Sequence, residues 1–241
     1  MERPRFFTRQ SLAAGARVTL EAEPARHVGR TLRMGPGEAL VLFDGSGIEV
    51  PAVIETVDRR SVTVRCDLPR EVDRESPLTL ELGLALSRGD RVDWAVQKAT
   101  ELGVTRIALL ETRRGLSLPA DRRAKKHGHW QRIAESACEQ CGRNRVPEVS
   151  EPQPLADWLD GVEAPLRLVL DPRAGARELP ARASAVALLC GPGGGLDEDE
   201  ITRAQAAAFG LLVLGPRVLR TETAPLAAIA ALQARWGDWQ L

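Results

Sequence analysis

Two glycine-proline segments near the C-terminus carry the residue types best suited to holding a small ligand. Ala185 to Cys190 (AVALLC) runs into Gly191-Pro192-Gly193-Gly194-Gly195, and Leu211 to Leu214 (LLVL) runs into Gly215-Pro216-Arg217-Val218-Leu219-Arg220-Thr221-Glu222-Thr223-Ala224. Loops without side chains let a ligand approach backbone N–H groups, and the second loop adds Arg220, a fixed cation, and Glu222, a carboxylate able to take a proton. Phosphate is the obvious first ligand for the glycine loop, but its details argue otherwise. It lacks a Gly-Lys-Ser/Thr and the G-x-G-x-x-G spacing, and the four carboxylates of Asp197 to Glu200 that follow would repel a phosphate. An adenosine-type ligand of little net charge, held by backbone amides, suits it better; a tight turn between strand and helix would use the same glycines. In the second loop, Thr221 or Thr223 could cap a following helix.

A third cluster is basic. Arg3, Arg5, Arg9, Arg26, Arg30 and Arg33 are accompanied by Phe6, Phe7 and His27, and Arg88, Lys98, Arg143 and Arg145 could extend the footprint. Guanidinium groups meet phosphates and stackable rings meet unpaired bases, which is the chemistry of RNA recognition. Solvated surface arginines would give the same composition. Of the four cysteines, Cys138 and Cys141 have C-x-x-C spacing, but no second pair supplies a zinc site, and both fall in a helical pattern. They read as reduced thiols. His127 and His129 lie in a basic, polar stretch and read as solvated.

The elements that must position these residues fall into two patterns. From Arg17 to about Leu68 short β-type runs (ARVTLEA, EALVLF, IEVPAVIETV, SVTVRC) alternate with turn clusters, predicting a small β-barrel. The charged segment EVDRESP reads as a linker, giving domains of 1–73 and 74–241. Beyond it strands (LTLELGLAL, VTRIALLET, LRLVLDP, AVALLC, LLVL) alternate with helices (RVDWAVQKATELG, HWQRIAESACEQCG, 197–209, 226–236), predicting an α/β domain built on a mostly parallel sheet. The two glycine-proline loops then fall at the carboxyl ends of neighbouring strands, where such sheets bind ligands.

The chain has 241 residues, 33 basic and 33 acidic, so no net field draws it to a polyanion and any nucleic-acid contact must come from local clustering. No apolar run approaches the roughly 18 residues of a membrane span, and the N-terminus lacks a secretory apolar core, so the expected location is the cytoplasm with no membrane partner.

Over nearly its whole length the chain resembles the bacterial ribosomal RNA small-subunit methyltransferase E family of the SPOUT superfamily. The residues carrying the resemblance include His27-Val28-Gly29-Arg30-Thr31-Leu32-Arg33-Met34, Phe43-Asp44-Gly45, Arg88-Gly89, Gln97-Lys98, Glu101-Leu102-Gly103, Ala137 to Arg145, Gly191-Pro192, Gly194-Gly195 and Leu214 to Ala224. The resemblance implies a PUA-like RNA-binding β-barrel followed by a SPOUT α/β domain with a deep trefoil knot, a homodimer, and methylation of N3 of one uridine in small-subunit (16S) ribosomal RNA. It implies S-adenosylmethionine as cofactor, held by Leu189, Cys190, Gly191, Pro192, Gly194, Gly195, Leu214, Gly215, Val218, Leu219, Thr221, Thr223 and Ala224, with no metal. There is one departure: the family usually has Gly-Pro-Glu-Gly-Gly, and Gly193 stands here in place of the glutamate. If that carboxylate were essential, the chain would be a non-catalytic RNA-binding or ribosome-assembly protein that keeps the cofactor pocket.

Removing the N3 proton of a uracil needs a base or a stabilised anion, and Glu222 and Arg220 are the residues that could supply them. N3 is occupied in a base pair, so the uridine must be unpaired or flipped out.

Overall fold

The computed structural model describes residues 3–58, 61–175 and 178–240, which pack as two compact units. The first unit comprises Met1–Glu75 together with Glu135–Val146, and the second Ser76–Ala134 with Pro147–Leu241.

In the first unit the chain forms β1 (Arg5–Phe7), β2 (Arg17–Thr19), the short helix α1 (Ala22–Arg26) continued by a π-helical turn (His27–Thr31), then β3 (Ala39–Phe43), β4 (Ile48–Val57), β5 (Val62–Cys66) and β6 (Arg70–Glu71). The strands make one sheet in the order β1-β3-β4-β5-β2, with β6 on β4; β1 is parallel to β3 and the other pairs are antiparallel. Alternate residues such as Leu40, Leu42, Val50, Ala52, Ile54, Val62 and Val64 fill its core, as the period of two predicts. The segment from His27 to Met34, expected inside the β region, is instead largely helical. Ala25 and Val28 are buried three apart while Arg26, His27 and Arg30 stay exposed, so a helical period overrides the surrounding strand pattern.

The first unit also claims Glu135–Val146, a stretch that the linker-based division assigns to the second domain. Polar side chains explain why. Arg143 is buried and donates to Glu75, and Asn144 donates to the carbonyl of Val72 at 2.9 Å. Glu139 accepts the backbone N–H of Phe7 at 2.9 Å. Burial, reinforced by Glu23 and Glu135, pushes the Glu139 carboxyl up to about 7.

The second unit runs β7 (Thr79–Ala85), α2 (Arg91–Glu101), β8 (Arg106–Glu111), α3 (Ala120–Cys141, whose residues from Glu135 count with the first unit), β9 (Glu148–Val149), β10 (Gln153–Pro154), α4 (Leu155–Gly161), β11 (Leu166–Leu170), β12 (Ala185–Cys190), α5 (Glu198–Ala206), β13 (Gly210–Leu212) and α6 (Thr223–Trp236). Its seven strands are all parallel, in the order β10-β8-β7-β12-β11-β13 with β9 on β8. The central strands are buried on both faces. Leu189, Ala187 and Val169 pack against Trp158 and Phe209 on one side, and α6 packs on α2 and β12.

Register decides where the loops fall. Cys190 is level with Leu84 of β7 and with Leu170 of β11, which in turn is level with Leu212 of β13. Four strands therefore end together, and their following loops share one edge. No helix among the described residues is long and apolar enough to cross a membrane.

Candidate functional site

The loop after β12 is shaped by close packing. A Cβ on Gly191 would lie 3.0 Å from both Cγ and N of Leu196, so any side chain there requires Leu196 to give way by a few tenths of an ångström. The chain then turns, with the N–H of Gly195 donating to the carbonyl of Pro192 at 2.8 Å and Gly195 in the left-handed region (φ +69°). The turn delivers Asp197 as the cap of α5. Its side chain accepts the N–H of Glu200 at 2.8 Å while Glu200 accepts the N–H of Asp197 at 2.9 Å, a reciprocal capping box. Arg113 donates to both Asp197 (2.9 Å) and Asp199 (2.8 Å), so much of the acidic helix start is engaged internally.

The loop after β13 folds back onto the first. Thr221 Oγ1 donates to the carbonyl of Gly191 at 2.9 Å, and Arg220 accepts the N–H groups of Thr223 and Ala224 at 2.9 Å. Neither threonine caps α6 with its side chain; Glu222 occupies the cap position. Thr221 is spent on the cross-loop tie, which holds the two glycine-proline loops together.

Between them lies an open cleft of about 660 Å³, counting the solvent-filled space at its mouth. Cys190, Gly191, Pro192, Gly195, Leu214, Gly215, Val218, Leu219, Thr221 and Ala224 line it. Three other residues expected there do not. Leu189 points into the core with Ala187, Gly194 lies under Arg114, and Thr223 is exposed at the start of α6. The strand alternation accounts for the first: adjacent residues face opposite sides, so Cys190 can reach the cleft only if Leu189 does not.

The sheet order corrects a further expectation. Strands β12 and β13 are not neighbours but flank β11, so a third loop, Leu170-Asp171-Pro172, forms part of the wall, with Leu212, Val213 and Arg217. The signal was present in LRLVLDP, an apolar run ending in a turn dipeptide like the other two, but only sheet order places it between them. Asp171 accepts from Arg173 at 2.8 Å through each carboxylate oxygen, and this guanidinium holds its carboxyl below the usual range. Burial pushes the Cys190 thiol up to about 12, so it sits in the cleft as a neutral, inert group.

Glu222 is mostly buried. Its Oε2 is sealed from solvent without a hydrogen-bond partner, and the nearest cation, Nε of Arg91 at the start of α2, stands 3.7 Å away. Arg91 was missed in the sequence because nothing local links it to a loop more than a hundred residues downstream. Arg220 is exposed and makes no ion pair among the described residues.

The basic cluster divides. Arg5 is buried against Glu49 (2.7 Å), Asn144 and the Phe43 ring, Arg143 is buried on Glu75, Arg9 is bound to Glu135, and Lys98 pairs with Glu101 at 2.7 Å beside Trp94. Arg5 and Arg143 are thus tied inside the protein, while Arg9 and Lys98 are paired at its surface. Arg3, His27, Arg30, Arg33, Arg88 and Arg145 are exposed and make no ion pair among the described residues. The histidines expected to be solvated are partly exposed and also hydrogen-bonded: Nε2 of His127 lies 2.7 Å from the carbonyl of Val149, and that of His129 lies 2.7 Å from Asp93. Cys138 is buried, with its thiol pushed up by Cys141 and burial.

Comparison with known proteins supplies what geometry alone does not. A family described as an RNA methyltransferase domain matches residues 74–233, and one described as an RNA methyltransferase PUA domain matches residues 20–66. The chain is 31% identical to ribosomal RNA small subunit methyltransferase E of Buchnera aphidicola subsp. Schizaphis graminum, over 98% of this chain and 97% of that one. Among solved structures, a methyltransferase from Legionella pneumophila in complex with S-adenosylmethionine superposes with a TM-score of 0.95 at 40% identity, covering 99% of this chain and 100% of that one. A ribosomal RNA small subunit methyltransferase E from Neisseria gonorrhoeae, bound to S-adenosylmethionine, gives 0.91 at 38% with the same coverage.

Proposed function

The chain belongs to the ribosomal RNA small subunit methyltransferase E family, and from that premise we propose that it uses S-adenosylmethionine to methylate N3 of one uridine in small-subunit ribosomal RNA. The observation that carries this reading is the cleft itself, where three loops from the ends of β11, β12 and β13 meet and the last two are tied by the hydrogen bond from Thr221 to Gly191. Its residues fit the cofactor of the solved relatives. Most of the walls are apolar side chains and glycines; Asp171, the carboxylate on the lining, is already paired, and the Cys190 thiol is neutral, so an adenosine-type ligand meets no free carboxylate there and Arg217 is the charged group left at the wall. Cys190, Gly191, Pro192, Gly195, Leu214, Gly215, Val218, Leu219, Thr221 and Ala224 would hold it, with Leu170 and Leu212 added. When bound, the cofactor supplies an electrophilic methyl group on a sulfonium.

The chain's own residues must then prepare the nucleophile. Glu222 takes the N3 proton: its sealed oxygen has no internal hydrogen bond to give up. Arg220, exposed and without an ion pair among the described residues, stabilises the negative charge that develops on the uracil oxygens. The rest of the acceleration comes from alignment of the unpaired base with the reacting methyl.

By the same family reading, residues 1–73 form a PUA-like barrel that presents RNA, residues 74–241 form a knotted SPOUT domain, and two copies associate through that domain in the cytoplasm on an assembled ribosomal particle. Exposed Arg3, His27, Arg30, Arg33, Arg88 and Arg145 are the RNA contacts left by the division above. The second reading, an RNA-binding protein without transfer activity, rests on Gly193. The backbone there has ordinary φ, and the nearest atom to an added Cβ is 3.6 Å away, so Gly193→Glu is accommodated. The deciding experiment incubates particles lacking the modification with protein and S-adenosylmethionine and looks for 3-methyluridine by nucleoside mass spectrometry. A stoichiometric product establishes the activity; cofactor binding without product, with product restored by Gly193→Glu, establishes the second reading.

A further inference from the structure

Two arginines outside the residues so far given a role in transfer, Arg91 and Arg114, bracket the glycine loop. They follow β7 and β8, and the strand order β8-β7-β12 makes the three loops successive along the same edge of the sheet. A Cβ on Gly193 would lie 3.6 Å from Nη1 of Arg91, and one on Gly194 would lie 3.6 Å from Cβ and Cδ of Arg114. Each guanidinium is anchored at one point only. Arg91 Nε stands 3.7 Å from Glu222, and Arg114 Nη1 donates to the carbonyl of Gly194 at 3.1 Å.

The neighbouring Arg113 shows the contrast, since Asp197 and Asp199 engage it directly, and that pairing offsets two of the carboxylates that would otherwise repel a phosphate from this loop. Arg114 makes no ion pair among the described residues, and Arg91 none within hydrogen-bond reach. A guanidinium carries five donors in a planar fork, so most of both forks is unused beside two residues that have no side chains. The complementary ligand is a phosphodiester, with one charge and two non-bridging oxygens.

Resting on the RNA-methyltransferase reading, we propose that Arg91 and Arg114 clamp one phosphodiester of the substrate strand over Gly193 and Gly194. The adjoining nucleotide is thereby set beside Glu222. Gly193 acquires a purpose in this arrangement, because a carboxylate at that position would meet Arg91 and take the place of the phosphate.

The test measures equilibrium binding of the full-length protein, with S-adenosylmethionine present, to an unmodified small-subunit ribosomal RNA transcript over a series of salt concentrations. Arg91→Ala and Arg114→Ala should each weaken binding about tenfold and lower the slope of log K against log salt by up to about 0.7, the value of one single-stranded phosphate contact. Because both hold one phosphate, the double variant should lose one such contact rather than two. Arg91→Lys should keep most of the slope, Gly193→Glu should weaken binding, Arg122→Ala on α3 should change nothing, and cofactor affinity should stay within about twofold throughout. Unchanged RNA affinity in both single variants overturns the clamp. Loss of cofactor affinity in parallel also overturns it, because the arginines would then be shaping the loop. A wild-type protein that shows the clamp's salt signature but transfers no methyl group leaves the clamp standing and removes the enzymatic reading.

Discussion

Arg143 and Arg220 are the same residue type put to opposite uses. Arg143, with Arg5, lies in the first unit where carboxylates and amides close on the guanidinium and water is excluded. Arg220 stands on the loop after β13, exposed and without an ion pair among the described residues, and Arg91 reaches its carboxylate only at 3.7 Å. A saturated guanidinium holds the fold together and has nothing left for a ligand, whereas an unsaturated one is available for chemistry. Charge counts cannot separate the two, because both contribute equally to a net charge of zero.

Substitutions can sharpen or break that contrast. The largest effect is expected for Arg143→Ala, which strands Glu75 and should cost roughly 3–5 kcal/mol, read as a lower urea midpoint. A cost of a few tenths would mean the pair is not structural. Arg220→Ala should leave that midpoint in place while cutting methyl transfer about 100- to 1000-fold, the scale of losing one donor to a developing oxyanion. Near-normal turnover removes Arg220 from the site.

Glu139 adds a pH dependence to the first unit alone. Its folded carboxyl titrates at about 7 against an ordinary 4.5, so the folded state holds the proton more tightly. Stability from this group is therefore full below about pH 4.5 and is lost as pH rises through 7, a change of roughly 3 kcal/mol. Glu139→Gln should flatten the stability profile in that window, and an unaltered profile would show that another group sets it. The smallest effect is expected at the cleft: Thr221→Val removes one hydrogen bond to Gly191 and should cost about 1 kcal/mol of cofactor affinity, measured by calorimetry.

The five longer strands of the parallel sheet and most of its helices were legible because each is an apolar run closed by a turn or a glycine, as at Gly103 and Cys190-Gly191, whereas β9 and β10, of two residues each, and the short α4 were not. The two glycine-proline loops were legible for the same reason. Asp171 was not, since its place in the cleft depends on β11 lying between β12 and β13, which local pattern does not encode. Strand β1 escaped notice because three residues are too few to show a period, and α3 was found only in its C-terminal half because RRAKKHGH lacks an apolar face. The fates of Arg5 and Arg143 were hidden by distance: their partners Asn144 and Glu75 lie 139 and 68 residues away.

That separation sets the timing of synthesis. The first unit is not complete when residue 75 emerges, because it still lacks Glu135–Val146, the end of α3 and the loop after it, and the 59 residues from 76 to 134 must be translated first. At about 5–20 residues per second the wait is about 3–12 s, during which Arg5 and Glu49 are without Asn144, and Glu75 without Arg143. A chain cut after Glu75 would remain in that state indefinitely, so the N-terminal sheet is a module in its strands but not in its folding, and the nascent protein carries it unfinished until the first 59 residues of the second unit have been made.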